Sequence, residues 1–147
     1  MKTVLDPATR NELISRVNTI SDSSKPQWGR MNVYQMLKHC VLADEMYMGK
    51  KQYKRVFLGR LLGKIMLKKM LNEAPMQRNA PTSPFFIISE VSGDVAAERD
   101  KWIAVINDYE TLSDADFIHW FFGKMTKEQV GQFAYKHIDH HLRQFGA

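Results

Sequence analysis

Thr126-Lys127-Glu128-Gln129-Val130-Gly131-Gln132-Phe133-Ala134-Tyr135-Lys136-His137-Ile138-Asp139-His140-His141-Leu142-Arg143-Gln144-Phe145 decides how the rest of the sequence is read. Thr126 and Gln129 have the spacing of a capping box, so the run predicts a helix that opens at Thr126. At about 100° per residue, Val130, Ala134, Ile138 and Phe145 define one apolar arc. His141 falls near the middle of that arc and His137 lies beside it, one turn earlier. Three of the chain's five histidines lie in this run. The rise of about 6 Å between residues four apart lets two imidazoles grip one divalent ion. Buried imidazoles need partners for their polar nitrogens. A carbonyl, a tyrosine or a water would serve as well as a metal, so spacing alone leaves both readings open. His140 lies toward the edge of the arc, where it is better placed to hydrogen-bond than to ligate. Asp139 points away and reads as surface.

Working backward along the chain, other segments show helical periodicity. Asp6 with Pro7 opens a first helix whose stripe is Leu13, Ile14, Val17 and Ile20. Asn32 caps a second that runs to Met48 and stops at Gly49, with Val33, Leu37, Cys40 and Val41 as its main apolar face. His39 lies with Met36, Ala43 and Met46 on a secondary face. A long helix from about Asp94 to Thr111 carries Val95, Trp102, Val105, Ile106 and Tyr109. Segment 113–125, with Phe117, Trp120, Phe121 and Phe122, reads as a loop folded back on the core. Phe85-Phe86-Ile87-Ile88 fits either an extended pad or a helix start. These elements predict an all-α fold, a four-helix bundle with one accessory basic helix, in a single domain spanning 1–147.

The accessory element is the segment from Val56 to Leu71. Lys50, Lys51, Lys54, Arg55, Arg60, Lys64, Lys68 and Lys69 all lie between Gly49 and Leu71, with no acid among them. These eight of the 21 basic residues leave the remainder outnumbered by the 16 acids. The net charge of +5 is therefore local, which argues against a generally nucleic-acid-binding protein. Leu58, Leu61, Leu62 and Ile65 are expected to pack this helix onto the bundle, leaving Arg60, Lys64 and Lys68 in solvent. The narrow polar stripe, the lack of a Trp anchor and the scarcity of aromatics lead to the expectation of no membrane and no nucleic-acid partner. No apolar run reaches the roughly 20 residues of a membrane span, and Met1 to Ile20 lack the pattern of a signal peptide. With Cys40 as the one cysteine, no intramolecular disulfide can form, and a cytoplasmic location is expected.

The stretches Trp28-Gly29-Arg30-Met31-Asn32, Gln35-Met36-Leu37-Lys38-His39, Phe122-Gly123-Lys124-Met125-Thr126 and Tyr135 to Gly146 resemble an uncharacterised bacterial branch of the DinB/YfiT-like superfamily (domain of unknown function 1569). The resemblance covers nearly the whole chain. Its most specific parts are the histidine of the second helix and an H-x-x-x-H-x-x-Q signature at the end. It implies a four-helix bundle holding a divalent metal, zinc or nickel, on three histidines. Carried onto this sequence, the ligands are His39, His137 and His141, with Gln144 and His140 just outside them.

Three neutral histidines leave such an ion an open position for water or substrate. Relatives that are thiol-dependent S-transferases and a thiol-dependent isomerase favour activation of a thiol over hydrolysis. The implied partner is a small-molecule substrate, with a low-molecular-weight thiol as cosubstrate; a homodimer is compatible with this reading. The alternative is a non-catalytic binding or stress-response module whose metal is structural or absent. Cys40 reads as a core thiol, Asp44 and Glu45 as candidate bases with Asp44 better explained by a buried pairing with an Arg or a Tyr, and His119 as structural or exposed.

Overall fold

The computed structural model describes residues 1–114 and 117–147; positions 115 and 116 of the expected 113–125 loop lie outside the described residues. Among the described residues five α-helices are formed: α1 (Pro7–Val17), α2 (Val33–Tyr47), α3 (Phe57–Met70), α4 (Val95–Asp108) and α5 (Lys127–Gln144). The caps are those the sequence specifies. Asp6 accepts from the Thr9 amide at 2.9 Å, and both Asn32/Gln35 and Thr126/Gln129 form reciprocal capping boxes. Gly49 and Gly146 adopt positive φ just beyond α2 and α5.

α2 packs most extensively on α4. α1 contacts both α4 and α5, and α5 returns to α2, so these four helices enclose the core. Leu13, Val17, Ile20, Met36, Leu37, Trp102, Ile106, Ala134, Ile138 and Leu142 are fully or almost fully buried.

The expectation of an all-α four-helix bundle with an accessory basic helix is corrected by a small antiparallel sheet. β1 (Phe117–His119) pairs with β2 (Gly123–Met125) in the register Phe117↔Met125, Ile118↔Lys124, His119↔Gly123. The strands are three residues long, too short for alternation to show. The turn between them lacks the Asn-Gly or Asp-Gly that marks a tight hairpin. Its organiser is His119, whose Nδ1 accepts from the Phe121 and Phe122 amides at 3.1 and 3.2 Å, while Gly123 takes a positive φ. His119 is thus buried and structural, stacked on Phe122. Burial alone pushes its imidazole down to about 3.

The packing expected of α3 is also overturned. Leu58, Leu61, Leu62 and Ile65 face solvent, and the buried residues are Gly59, Gly63 and Leu67. A Cβ built on either glycine would overlap the Phe121 carbonyl oxygen. The glycines thus let the helix backbone lie directly against the hairpin, on the side away from the leucines. Beyond α3, Lys136 of α5 buries its ammonium among the carbonyl oxygens of Met70, Asn72 and Ala74 at 2.6, 2.9 and 2.8 Å.

Asp44 is fully buried on α2, accepting from Trp102 Nε1 and the Tyr109 hydroxyl, both at 2.8 Å. The tyrosine partner was foreseeable; the tryptophan N–H was not. No cation offsets the desolvation, so burial lifts the carboxyl from 3.8 to about 7 against the two hydrogen bonds. Between these values the folded chain keeps a proton that the unfolded chain releases. Stability from this group therefore falls as pH rises from about 4 to about 7, by on the order of 4 kcal/mol. Asn at this position can still accept from Trp102 and can donate to the Tyr109 oxygen. Urea unfolding across that window should show wild type losing stability relative to Asp44→Asn, and a pH-independent difference would contradict the assignment.

Candidate metal centre

His39 projects from the middle of α2, and His137 and His141 from successive turns of α5, so the α2–α5 contact brings the three rings together. Ligand atoms from all three lie within 4.8 Å of one another, and all three residues are buried. Ring centroids are 5.2 Å apart for His39 and His137, 4.9 Å for His39 and His141, and 4.7 Å for the α5 pair.

Each outer contact fixes a proton. His39 Nδ1 lies 3.0 Å from the Phe86 carbonyl oxygen, which accepts only, so Nδ1 carries the hydrogen and Nε2 holds a lone pair. His141 Nδ1 lies 2.8 Å from Gln144 Oε1, and Gln144 Nε2 donates to the Trp28 carbonyl at 2.8 Å. That second bond sets the amide orientation, so His141 likewise presents a lone pair at Nε2.

Gly29 makes room for the relay. It takes φ +83°, and a Cβ there would lie 2.6 Å from Gln144 Nε2. The Trp28-Gly29 bend can therefore cradle the amide only without a side chain.

His137 lacks such a partner. Its Nε2 lies 3.2 Å from His39 Nε2, and its Nδ1 is buried with no hydrogen bond. Either it donates from Nε2 and leaves Nδ1 bare, or two lone pairs oppose each other and an N–H goes unpaired. Both arrangements leave a deficit that a cation taking the lone pairs relieves in part. Protonation cannot relieve it, because burial and the neighbouring imidazoles hold His137 well below the usual histidine range. Burial also lowers His39, against the hydrogen bond to Phe86, and brings His141 to about 3. Three neutral, desolvated imidazoles, two of them locked by outer acceptors, are a donor set that fits a borderline-soft divalent ion.

Around this cluster stand Tyr47, 6.1 Å from His137 between ring centroids, and Phe86, 6.2 Å from His39. His140, half-buried, lies against His141 and Trp28 at 5.1 and 5.7 Å. Sequence reading missed the role of Tyr47, which continues the α2 face one turn beyond Ala43. It also missed the Phe86 carbonyl, set by a 3-10 turn over Pro84–Phe86 that no side-chain pattern announces.

The other candidates lie elsewhere. Cys40 is fully buried against Met36 Sδ at 3.7 Å, and Glu45 pairs with Lys51 at 2.7 Å. A cavity of about 340 Å³ borders Tyr47, Tyr53, Phe117 and Val130, and a second of about 250 Å³ borders Lys2, Lys136 and Arg143. The three histidines line neither.

A model of one protein family, described as "Protein of unknown function (DUF1569)", matches residues 2–147. Comparison with curated proteins and with solved structures finds no match.

Fully partnered Lys136 and incompletely partnered His137 should respond differently to removal. In the presence of chelator, His137→Leu should stay within about 1 kcal/mol of wild type by urea unfolding. Lys136→Met, which strands buried carbonyls, should lose about 1–3 kcal/mol. A loss at His137 as large as that at Lys136 would mark the histidine as part of the fold's own support.

Proposed function

We propose that this chain, which belongs to the DUF1569 family of proteins of unknown function, holds a divalent metal on His39, His137 and His141 and uses it to act on a small molecule. The observation that carries this reading is the chemistry of the donor set: three buried neutral imidazoles whose nitrogens are incompletely satisfied by protein. The proposed ion is zinc or nickel, which supplies Lewis acidity toward water or a small thiol. S-transfer or hydrolysis of a small substrate is the proposed reaction class, and the sequence resemblance to DinB/YfiT-like proteins favours the thiol.

The protein's part is preorganisation. Phe86 and Gln144 hold His39 and His141 in one tautomer and one orientation, which removes the cost of ordering them on binding. Tyr47 and Phe86 give the cluster aromatic walls that limit water. His140 stands beside His141 as a hydrogen-bonding group at the edge.

One observation favours a second reading, a non-catalytic module with a structural metal: neither described cavity opens onto the histidines. Substrate access would then require movement of the 71–94 connection that carries Phe86.

Metal analysis of untagged protein tests the proposal. Near-stoichiometric zinc or nickel is expected in wild type, and none in His39→Ala, His137→Ala or His141→Ala. Gln144→Ala should retain the site with affinity weakened about 10- to 100-fold. Added metal should raise the melting temperature of wild type and leave that of His137→Ala unmoved. Wild-type protein that neither carries nor is stabilised by any divalent transition metal would refute the reading.

A further inference from the structure

α3 is fastened to the protein by a narrow stripe. Only Gly59, Gly63 and Leu67 of the helix are buried, one turn apart along a single line. At about 100° per residue the rest of its apolar side chains fan over the outward half. Phe57 is 76% exposed, Leu61 62% and Ile65 67%, and Leu58, Leu62 and Met66 are exposed with them. Arg60, Lys64 and Lys68 run along one shoulder of this face, and Lys69 lies across it beside Leu58 and Leu62; all four are exposed. Phe85, also exposed, packs 4.9 Å from Tyr53 just ahead of the helix. A contiguous face of this size on one helix marks a contact surface rather than scattered surface residues.

Charge selects the occupant. α3 itself carries Arg60, Lys64, Lys68 and Lys69 and no acid, while Lys50 and Lys51 ahead of it are paired with Asp108 and Glu45. A second copy would bring that cationic face against itself. The partner must instead offer negative charge and apolar depth together over a surface that a convex helix can lie on. A helix of 14 residues, about 21 Å long, runs along a bilayer interface rather than across it. No helix among the described residues is long and apolar enough to cross a membrane. We infer that α3 is an interfacial anchor, which lays Phe57, Leu58, Leu61 and Ile65 into the surface of an anionic lipid bilayer with Arg60 and Lys68 at the phosphates, Lys64 being tied to the Lys124 carbonyl. The expectation of no membrane partner rested on a narrow polar stripe, the lack of a Trp anchor and few aromatics; the exposed apolar face of Leu58, Leu61, Leu62 and Ile65 is set against it. The inference is independent of the histidine cluster.

Flotation of the full chain with vesicles of phosphatidylcholine, alone or with about one third phosphatidylglycerol, tests it. The protein should float with the anionic vesicles and stay behind with the neutral ones. Partition should fall about tenfold or more as salt is raised to about 0.5 M. Leu61→Asp combined with Ile65→Asp should lose about tenfold or more at low salt, with unchanged far-ultraviolet dichroism because both sites are solvent-facing. In a Phe57→Trp variant, indole emission should shift to the blue on anionic vesicles. Absence of flotation at low salt would overturn the inference. So would equal flotation of the double variant, since charge alone would then suffice. A dimer that the double variant dissolves, without flotation of wild type, would overturn it in favour of a second copy.

Discussion

Three imidazoles share a dry interior between α2 and α5, and the surroundings can satisfy only part of them. His39 is served by the Phe86 carbonyl and His141 by the relay through Gln144 to the Trp28 carbonyl. His137 is left with a bare nitrogen. Around this deficit the local architecture is ordered: Gly29 vacates space for Gln144, the 3-10 turn at Pro84–Phe86 brings a carbonyl down onto α2, and Tyr47 closes the flank. An unsatisfied buried polar group costs on the order of 1–3 kcal/mol. Three buried histidines with ligand atoms within 4.8 Å of one another are positioned to hold a cation that would take their lone pairs.

The other buried polar groups show the contrast. Lys136 fills a ring of carbonyls, Asp44 accepts two hydrogen bonds, and His119 takes the two amides of its own turn. Each organises a junction: α5 to the end of α3, α2 to α4, and the bend between β1 and β2. They hold these junctions through partnered polar atoms, whereas His137 Nδ1 is buried with no hydrogen bond.

The helices with strong periodicity were legible in the sequence because caps and apolar arcs are local. Asn32 with Gln35, Thr126 with Gln129, and the Val130–Ile138 arc define their elements without help from elsewhere. The α5 half of the site was legible for the same reason, since residues four apart must share a face. His39 was not fixed by its own wheel position, and its place came from resemblance; convergence depends on how α2 lies on α5. The hairpin escaped because its strands are three residues long and its turn is held by a side chain. α3 was read backward. Leucines ordinarily mark the buried face, but here two glycines allow a closer approach on the opposite side, and close backbone packing leaves no hydrophobic signature.

The central claim is that His39, His137 and His141 are ligands to one ion. X-ray absorption at the edge of the metal carried by untagged protein tests it most directly. The account predicts about three imidazole nitrogens at about 2.0–2.1 Å with the multiple-scattering pattern of histidine, plus one lighter or sulfur ligand. A shell of oxygens alone, or one unchanged in His137→Ala, would contradict it.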